Sequence, residues 1–359
     1  MKPILELLKH AVDINASDIL LKVGAPPAFR KEGKLTFVEE DIITGQELYQ
    51  VLCQLGFDEG DLGNKKREVD RAVELEGVGR FRATLYSQRE GMGVVLRIIK
   101  SHIATFEELY LPVGPLQKLA FEKRGLVLVT GSTGSGKSTT IASLIEYVNQ
   151  RANKHIITIE DPIEYIFQDK KSIISQREIG LDTLSYGRAL RHAMLQSPDI
   201  IYIGNIRDQA TMYAALVAAE TGHLVLSTVH SINAAQTLER VVNFFPPHQH
   251  SEIRVQLSLL LKGILSQRLL PRQDKEGMMP VCEVLILTPT IARLIREGKV
   301  EEIGKFLEQG GMVGMQSFSQ AIVQRFHDGI ISKEVALEGA DSKDEVTLAI
   351  EGIKPIRNL

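Results

Sequence analysis

Apolar residues recur at helical spacing through 3–14, Pro-Ile-Leu-Glu-Leu-Leu-Lys-His-Ala-Val-Asp-Ile, which predicts an opening helix. The run Ser17-Asp18-Ile19-Leu20-Leu21-Lys22-Val23 then reads as a strand, and Pro26-Pro27 interrupts before another strand. A helix is expected near 45–55, followed by β-rich stretches at 70–76, 80–87 and 93–99 with glycine punctuation at Gly77, Gly79, Gly91 and Gly93. Residues 1–100 therefore read as a small α+β domain. From 101 to 124 the pattern is mixed and holds Pro112 and Pro115, so that stretch is expected to link two domains.

Beyond 124 the pattern changes to alternation. Short apolar, β-branched runs at 124–130, 155–160, 199–203 and 223–229 are separated by helical patterns at 137–150, 184–196, 208–221 and 233–243. Buried strands separated by amphipathic helices predict an α/β domain over 125–359, with a parallel sheet covered on both faces. Residues 250–268 and 290–357 read as mainly helical. Met278-Met279 and the methionines of 312–315 are expected to fill packing gaps.

Composition narrows the picture without deciding it. A chain of 359 residues accommodates two globular domains. Lys plus Arg total 42 against 45 for Asp plus Glu, which lacks the basic excess of a nucleic-acid-coating protein. Apolar runs fall far short of the ~20 residues of a membrane helix and there is no signal-peptide core, so a cytoplasmic location is expected. Cys53 and Cys282 form no CxxC pair, and both are expected as buried apolar side chains.

The chemistry begins at Gly131-Ser132-Thr133-Gly134-Ser135-Gly136-Lys137-Ser138, which fits G-x-x-x-x-G-K-[ST] between an apolar strand and a helix. Glycines let backbone N–H groups converge on phosphate oxygens, and the helix start adds partial positive charge. Lys137 is expected at the β- and γ-phosphates of ATP and Ser138 at Mg²⁺. Two neighbouring strand ends compete to supply carboxylates. One runs into Glu160-Asp161-Pro162-Ile163-Glu164, where Asp161 joins Ser138 as a candidate Mg²⁺ ligand; the other runs into Gly204-Asn205-Ile206-Arg207-Asp208. His223 and His230 flank the strand 224–229, and His230 ends it on the edge where open parallel sheets bind ligands. Arg191, Arg207 and Arg240 lie near that edge and either act across a subunit boundary or pair at the surface.

The segments 131–139, Thr158-Ile159-Glu160-Asp161-Pro162-Ile163-Glu164, Ala219-Glu220-Thr221-Gly222-His223-Leu224 and Thr228-Val229-His230 resemble the Walker A, Asp box and His box of bacterial secretion ATPases, in order and spacing. Ala16-Ser17-Asp18 with Pro26-Pro27, Gly79-Arg80-Phe81-Arg82 and Phe106-Glu107-Glu108-Leu109 look like landmarks of the type IV pilus retraction ATPases, the PilT/PilU branch. Asn243-Phe244-Phe245-Pro246, Ser266-Gln267-Arg268-Leu269-Leu270-Pro271 and Ala340-Asp341-Ser342 lie closer to its PilU side. The stretch 291–297 keeps only the Leu-Ile-Arg-Glu end of a retraction motif found in PilT.

The resemblance implies a PAS-like N-terminal domain and a RecA-like P-loop ATPase domain. It further implies a homo-hexameric ring that binds ATP and Mg²⁺ and drives pilus retraction in twitching motility. Such a ring works from the cytoplasmic face of the inner membrane through the platform protein PilC, alongside a PilT-type ATPase, with no nucleic acid involved. It assigns Gly131, Ser132, Thr133, Gly134, Ser135, Gly136, Lys137, Ser138 and Thr139 to the nucleotide. Glu164 becomes the water-activating glutamate, with Glu160 beside it, and His230 the γ-phosphate sensor. Arg82 and Arg97 become N-terminal-domain contacts to phosphate, a task suited to planar guanidinium groups.

The chain departs from the family at Asn205, where the Walker B strand usually ends Gly-Glu-[Ile/Met]-Arg-Asp. An amide is neutral and cannot accept a proton. Two readings follow: a motor ATPase, or a ring subunit that binds nucleotide, hydrolyses poorly and acts with an active partner.

Overall fold

The computed structural model describes residues 4–353 apart from 15, 32, 39–40, 63–67, 90 and 100–101. Parts of two expected helical stretches, Pro3 and residues 354–357, fall outside the described residues. The chain divides into two compact units, Met1–His102 with Glu164–Ile166, and Ile103–Ile163 with Phe167–Leu359.

The first unit is built on an antiparallel sheet of β1 (Asp18–Lys22), β2 (Ala28–Lys31), β3 (Lys34–Phe37), β4 (Val69–Leu75), β5 (Gly79–Gln88) and β6 (Gly91–Ile99), in the order β3-β2-β1-β6-β5-β4. Alternation along β5 buries Phe81, Ala83 and Leu85. The helices Ile4–Asp13 and Gly45–Gln54 add Leu7, Leu8, Leu48 and Leu52 to the same core. Thr44 and Glu47 form a capping box that fixes where the second helix starts. Cys53 corrects an expectation: Leu48, Val51 and Leu52 face the core, which turns Cys53 to solvent. Strand β3 lacked a sequence signal because every residue in it is exposed.

The second unit carries a seven-stranded sheet of β7 (Gly125–Thr130), β8 (His155–Glu160), β9 (Ile173–Glu178), β10 (Ile200–Ile203), β11 (Leu224–Val229), β12 (Leu261–Pro271) and β13 (Met278–Ile286), in the order β13-β12-β7-β11-β10-β8-β9. All pairings are parallel except β12–β13. The expected α/β architecture with a parallel-sheet core is therefore present. Every residue of β7 and β11 is buried, as strands covered on both faces require. Segment 101–124, expected as a linker, instead carries the helix Val113–Ala120 and buries Phe106, Leu111, Leu116 and Leu119 against β7 and the helix Lys137–Asn149.

One expectation is overturned outright. The stretch 250–268 is helical only through His250–Leu260; from Leu261 it is strand β12, held between β7 and β13. Because β12 is buried on both faces it shows no alternation, and Leu, Ser and Gln announce no strand. Gly263 lies where a Cβ would come within 2.9 Å of the Leu285 carbonyl and 3.0 Å of the Leu119 methyls, so close packing explains a glycine there. The methionine expectation holds for buried Met279 and Met315, whereas Met278 and Met312 are exposed. Cys282 is buried on β13, and burial pushes its thiol up to about 12.

Candidate functional site

The phosphate loop leaves the C-terminal end of β7 and enters the helix Lys137–Asn149. Gly131, Gly134 and Gly136 all have positive φ, at 150°, 78° and 89°. Gly136 is the N-cap of that helix and supplies no side-chain acceptor, so the first-turn N–H groups face the loop's concavity. A Cβ on Gly131 would collide with Ser135 Oγ and the Gln267 carbonyl, and one on Gly136 would lie 2.8 Å from Gln267 Nε2. Thr140 Oγ1 donates to Gln267 Oε1 at 2.7 Å, so buried Gln267 on β12 braces the loop from below. Sequence reasoning missed Gln267, since its strand carries no signal.

Lys137 is buried, and its Nζ donates to the carbonyls of Gly131 at 3.0 Å and Ser132 at 2.7 Å, which holds the ammonium over the loop. Ser132, Thr133 and Gly134 are exposed, whereas Ser138 and Thr139 are half-buried in the first turn. The parallel strands β11, β10 and β8 follow β7 in that order across the sheet, so their C-terminal ends share the loop's edge. Glu160 ends β8 buried, accepting from Thr158 Oγ1 at 2.7 Å and Gln176 Nε2 at 3.4 Å. Asp161 follows, exposed.

Asn205 follows β10 and His230 follows β11, and the two meet: Asn205 Nδ2 lies 3.1 Å from His230 Nε2. As placed, the amide donates to a neutral imidazole protonated on Nδ1. Asn205 Oδ1 is a buried acceptor with no partner. Burial, with the cationic Lys137, Arg207 and Arg240, holds His230 below the usual histidine range. Tyr186 was not anticipated. Burial and the carboxylates of Asp161 and Glu160 raise its phenol above the ordinary range, partly offset by Arg207.

His223 stands at the opposite end of β11, its ring bonded to the Ala218 carbonyl at 2.9 Å, away from the loop. Arg191 bonds the Gly187 carbonyl on its own helix at 3.4 Å. Glu164 is exposed and groups with the first unit. Arg82 and Arg97 face each other across β5 and β6; Arg82 pairs with Asp70 at 2.9 Å and Arg97 with Asp18 at 3.0 Å. Beside the loop a cavity of about 300 Å³ is lined by Tyr110, Leu111, Thr139, Leu269, Met278 and Pro280. Arg272 stands 4.9 Å from the Tyr110 ring centre.

A glycine loop at a sheet's switch point, opening a helix whose first residue is a buried lysine, defines a P-loop nucleotide-binding protein. The family model described as "Type II/IV secretion system protein" matches residues 2–335, and the chain belongs to that family, within its type IV pilus retraction ATPase branch. It is 42% identical to the type IV pilus ATPase PilU of Pseudomonas aeruginosa over 96% of this chain and 91% of that one. It is 39% identical to the PilT retraction ATPase of the same organism over 94% and 98%. The crystal structure of the pilus retraction motor PilT with bound ADP superposes with a TM-score of 0.88 at 42% identity, covering 96% of this chain and 99% of that one. Among the described residues no helix is long and apolar enough to cross a membrane.

Proposed function

We propose that this chain is an ATP-hydrolysing subunit of the type IV pilus retraction machinery, assembled as a homo-hexamer at the cytoplasmic face of the inner membrane. The observation that carries the reading is the phosphate loop, where three positive-φ glycines and an inward-folded lysine stand on a sheet like that of the ADP-bound PilT motor. The triphosphate lies in the loop against Lys137 and the first-turn N–H groups, and the base lies against Tyr110, Leu269 and Met278 in the adjoining cavity.

The residues present fit Mg²⁺: Ser138 stands in the first helical turn, Asp161 follows the C-terminal end of β8 on the same sheet edge, and the partnerless Asn205 Oδ1 is an amide oxygen of the kind magnesium-bound water bonds. When bound, the ion neutralises charge on the phosphates. Glu160 and Glu164 are the carboxylates available to orient or deprotonate water. Neutral His230 offers one ring nitrogen to Asn205, and its other ring nitrogen reads the γ-phosphate. Arg82 and Arg97 carry guanidinium groups of the kind that bind phosphate.

One observation favours the second reading, a nucleotide-binding subunit that turns over slowly and works with an active PilT-type ATPase through PilC. The half-buried Asn205–His230 contact involves two neutral groups where a carboxylate would supply charge. Steady-state phosphate release separates the readings. Turnover well above background from the isolated ring supports the motor; turnover only in a mixture with a PilT-type ATPase supports the accessory subunit. Absence of ATP binding by calorimetry, with Lys137→Ala indistinguishable from the parent, rejects both.

A further inference from the structure

Glu283, on the edge strand β13, is 8% exposed, and the phosphate chemistry described above makes no use of it. Its Oε1 accepts from the Ala234 backbone N–H at 2.7 Å and from the Ser266 hydroxyl at 3.3 Å. Ala234 opens the helix Ala234–Asn243, directly after the His230 loop, so the first bond fixes how the chain leaves that loop. The second bond starts a relay. Thr130 Oγ1 donates to Ser266 Oγ at 3.1 Å, and Thr130 is the last residue of β7, immediately before Gly131. Thr237 Oγ1 lies 3.4 Å from Thr130 Oγ1, donates to the Asn233 carbonyl at 2.6 Å and meets Ser231 Oγ at 2.7 Å. A buried polar ring thus joins the strand entering the phosphate loop to the segment leaving His230, and Glu283 is its only carboxyl group.

We propose that Glu283 is a positioning residue for phosphate chemistry: by holding Ala234 and Ser266 on one oxygen, it fixes the spacing between the His230 imidazole and the phosphate loop. The proposal rests on the loop being the ATP site. An amide would fill the same space without a charge to desolvate. The carboxyl makes the grip on Ala234 depend on protonation. Burial raises it to about 7, against Ala234 N–H, Ser266 and the Arg268 cation, with Asp341 acting the other way. Arg268 itself pairs with Asp341 at 2.7 and 2.9 Å.

The test measures single-turnover hydrolysis of bound ATP and ATP affinity from pH 5.5 to 9 in the full-length parent, Glu283→Ala and Glu283→Gln. A displaced reacting group costs rate more than affinity, so Glu283→Ala is expected to lower the hydrolysis rate roughly 10- to 100-fold with ATP Kd within about twofold. Gln keeps the accepting oxygen and is expected to restore the rate near pH 6 but to lose the ionisation near pH 7 expected in the parent. Equal losses in rate and affinity, or a Gln variant that keeps that ionisation, overturn the proposal. If Glu283→Ala does not fold, the Gln profile decides alone. Failure of the underlying reading is distinct: the parent itself then binds no ATP, or binds it as well when Lys137 is Ala.

Discussion

At Asn205 a single atom pair decides how much charge the site can bring to hydrolysis. Replacing the amide with a carboxylate puts an anion beside His230 Nε2, where the present contact is 3.1 Å between neutral groups. Asn205→Glu is expected to raise phosphate release by roughly 10²-fold or more, within the range a positioned charged or acid–base group supplies. ATP affinity should change little, since the loop and Lys137 are untouched. A variant no faster than the parent would show that Glu160 or Glu164 already carries the task. His230 supplies a second residue-scale prediction. Its folded pKa is depressed by burial and by Lys137, Arg207 and Arg240, so the folded state binds fewer protons than the unfolded state in the acid range. Its contribution is fully present above the ordinary histidine value of 6.5 and is lost as pH falls through that value toward the folded one. NMR titration of the ring should show a midpoint below 6.5, and Asn205→Glu should move that midpoint upward.

Elements explain both what the sequence announces and what it conceals. The phosphate loop is legible because its function is local: eight consecutive residues supply turn, amides and lysine between a strand and a helix that periodicity alone identifies. Asn205 and His230 were legible as strand-end residues, but their contact was not, because it depends on β10 and β11 lying side by side. Gln267 and Glu283 were hidden. Both sit on strands buried on both faces, where alternation vanishes, and their partners are 127 and 49 residues away in sequence. Two element-scale outcomes follow. Gly136→Ala forces a side chain into φ 89° and toward Gln267 Nε2, and should weaken ATP binding at least about tenfold by calorimetry, at a folding cost on the order of 1–3 kcal/mol. Glu283 has a folded pKa raised from 4.5 to about 7, so the stability it contributes is full below 4.5 and is lost as pH rises through about 7. Glu283→Gln, which does not titrate, should match the parent in acid denaturant melts and exceed it above pH 8 by on the order of 3 kcal/mol.

At the scale of the whole molecule, the two units keep separate cores. One apolar cluster draws only on residues 4–98, whereas the clusters around the parallel sheet draw on residue 106 onward. Ligand binding stabilises only the structure that binds, by RT ln(1 + [L]/Kd), about 2.7 kcal/mol at a hundredfold excess over Kd. Hydrogen exchange with saturating ATP should therefore slow the most protected amides of β7, β11 and the helix Lys137–Asn149 by roughly a hundredfold. Strands β5 and β6 report separately on Arg82 and Arg97. Those guanidinium groups are already satisfied by Asp70 and Asp18, so phosphate must compete with a carboxylate at each. If the arginines engage nucleotide, ATP slows exchange in β5 and β6 as well, and Arg97→Ala removes that increment while leaving the phosphate-loop protection intact. Protection that survives in Lys137→Ala throughout the chain would place the nucleotide somewhere other than the loop between β7 and its helix.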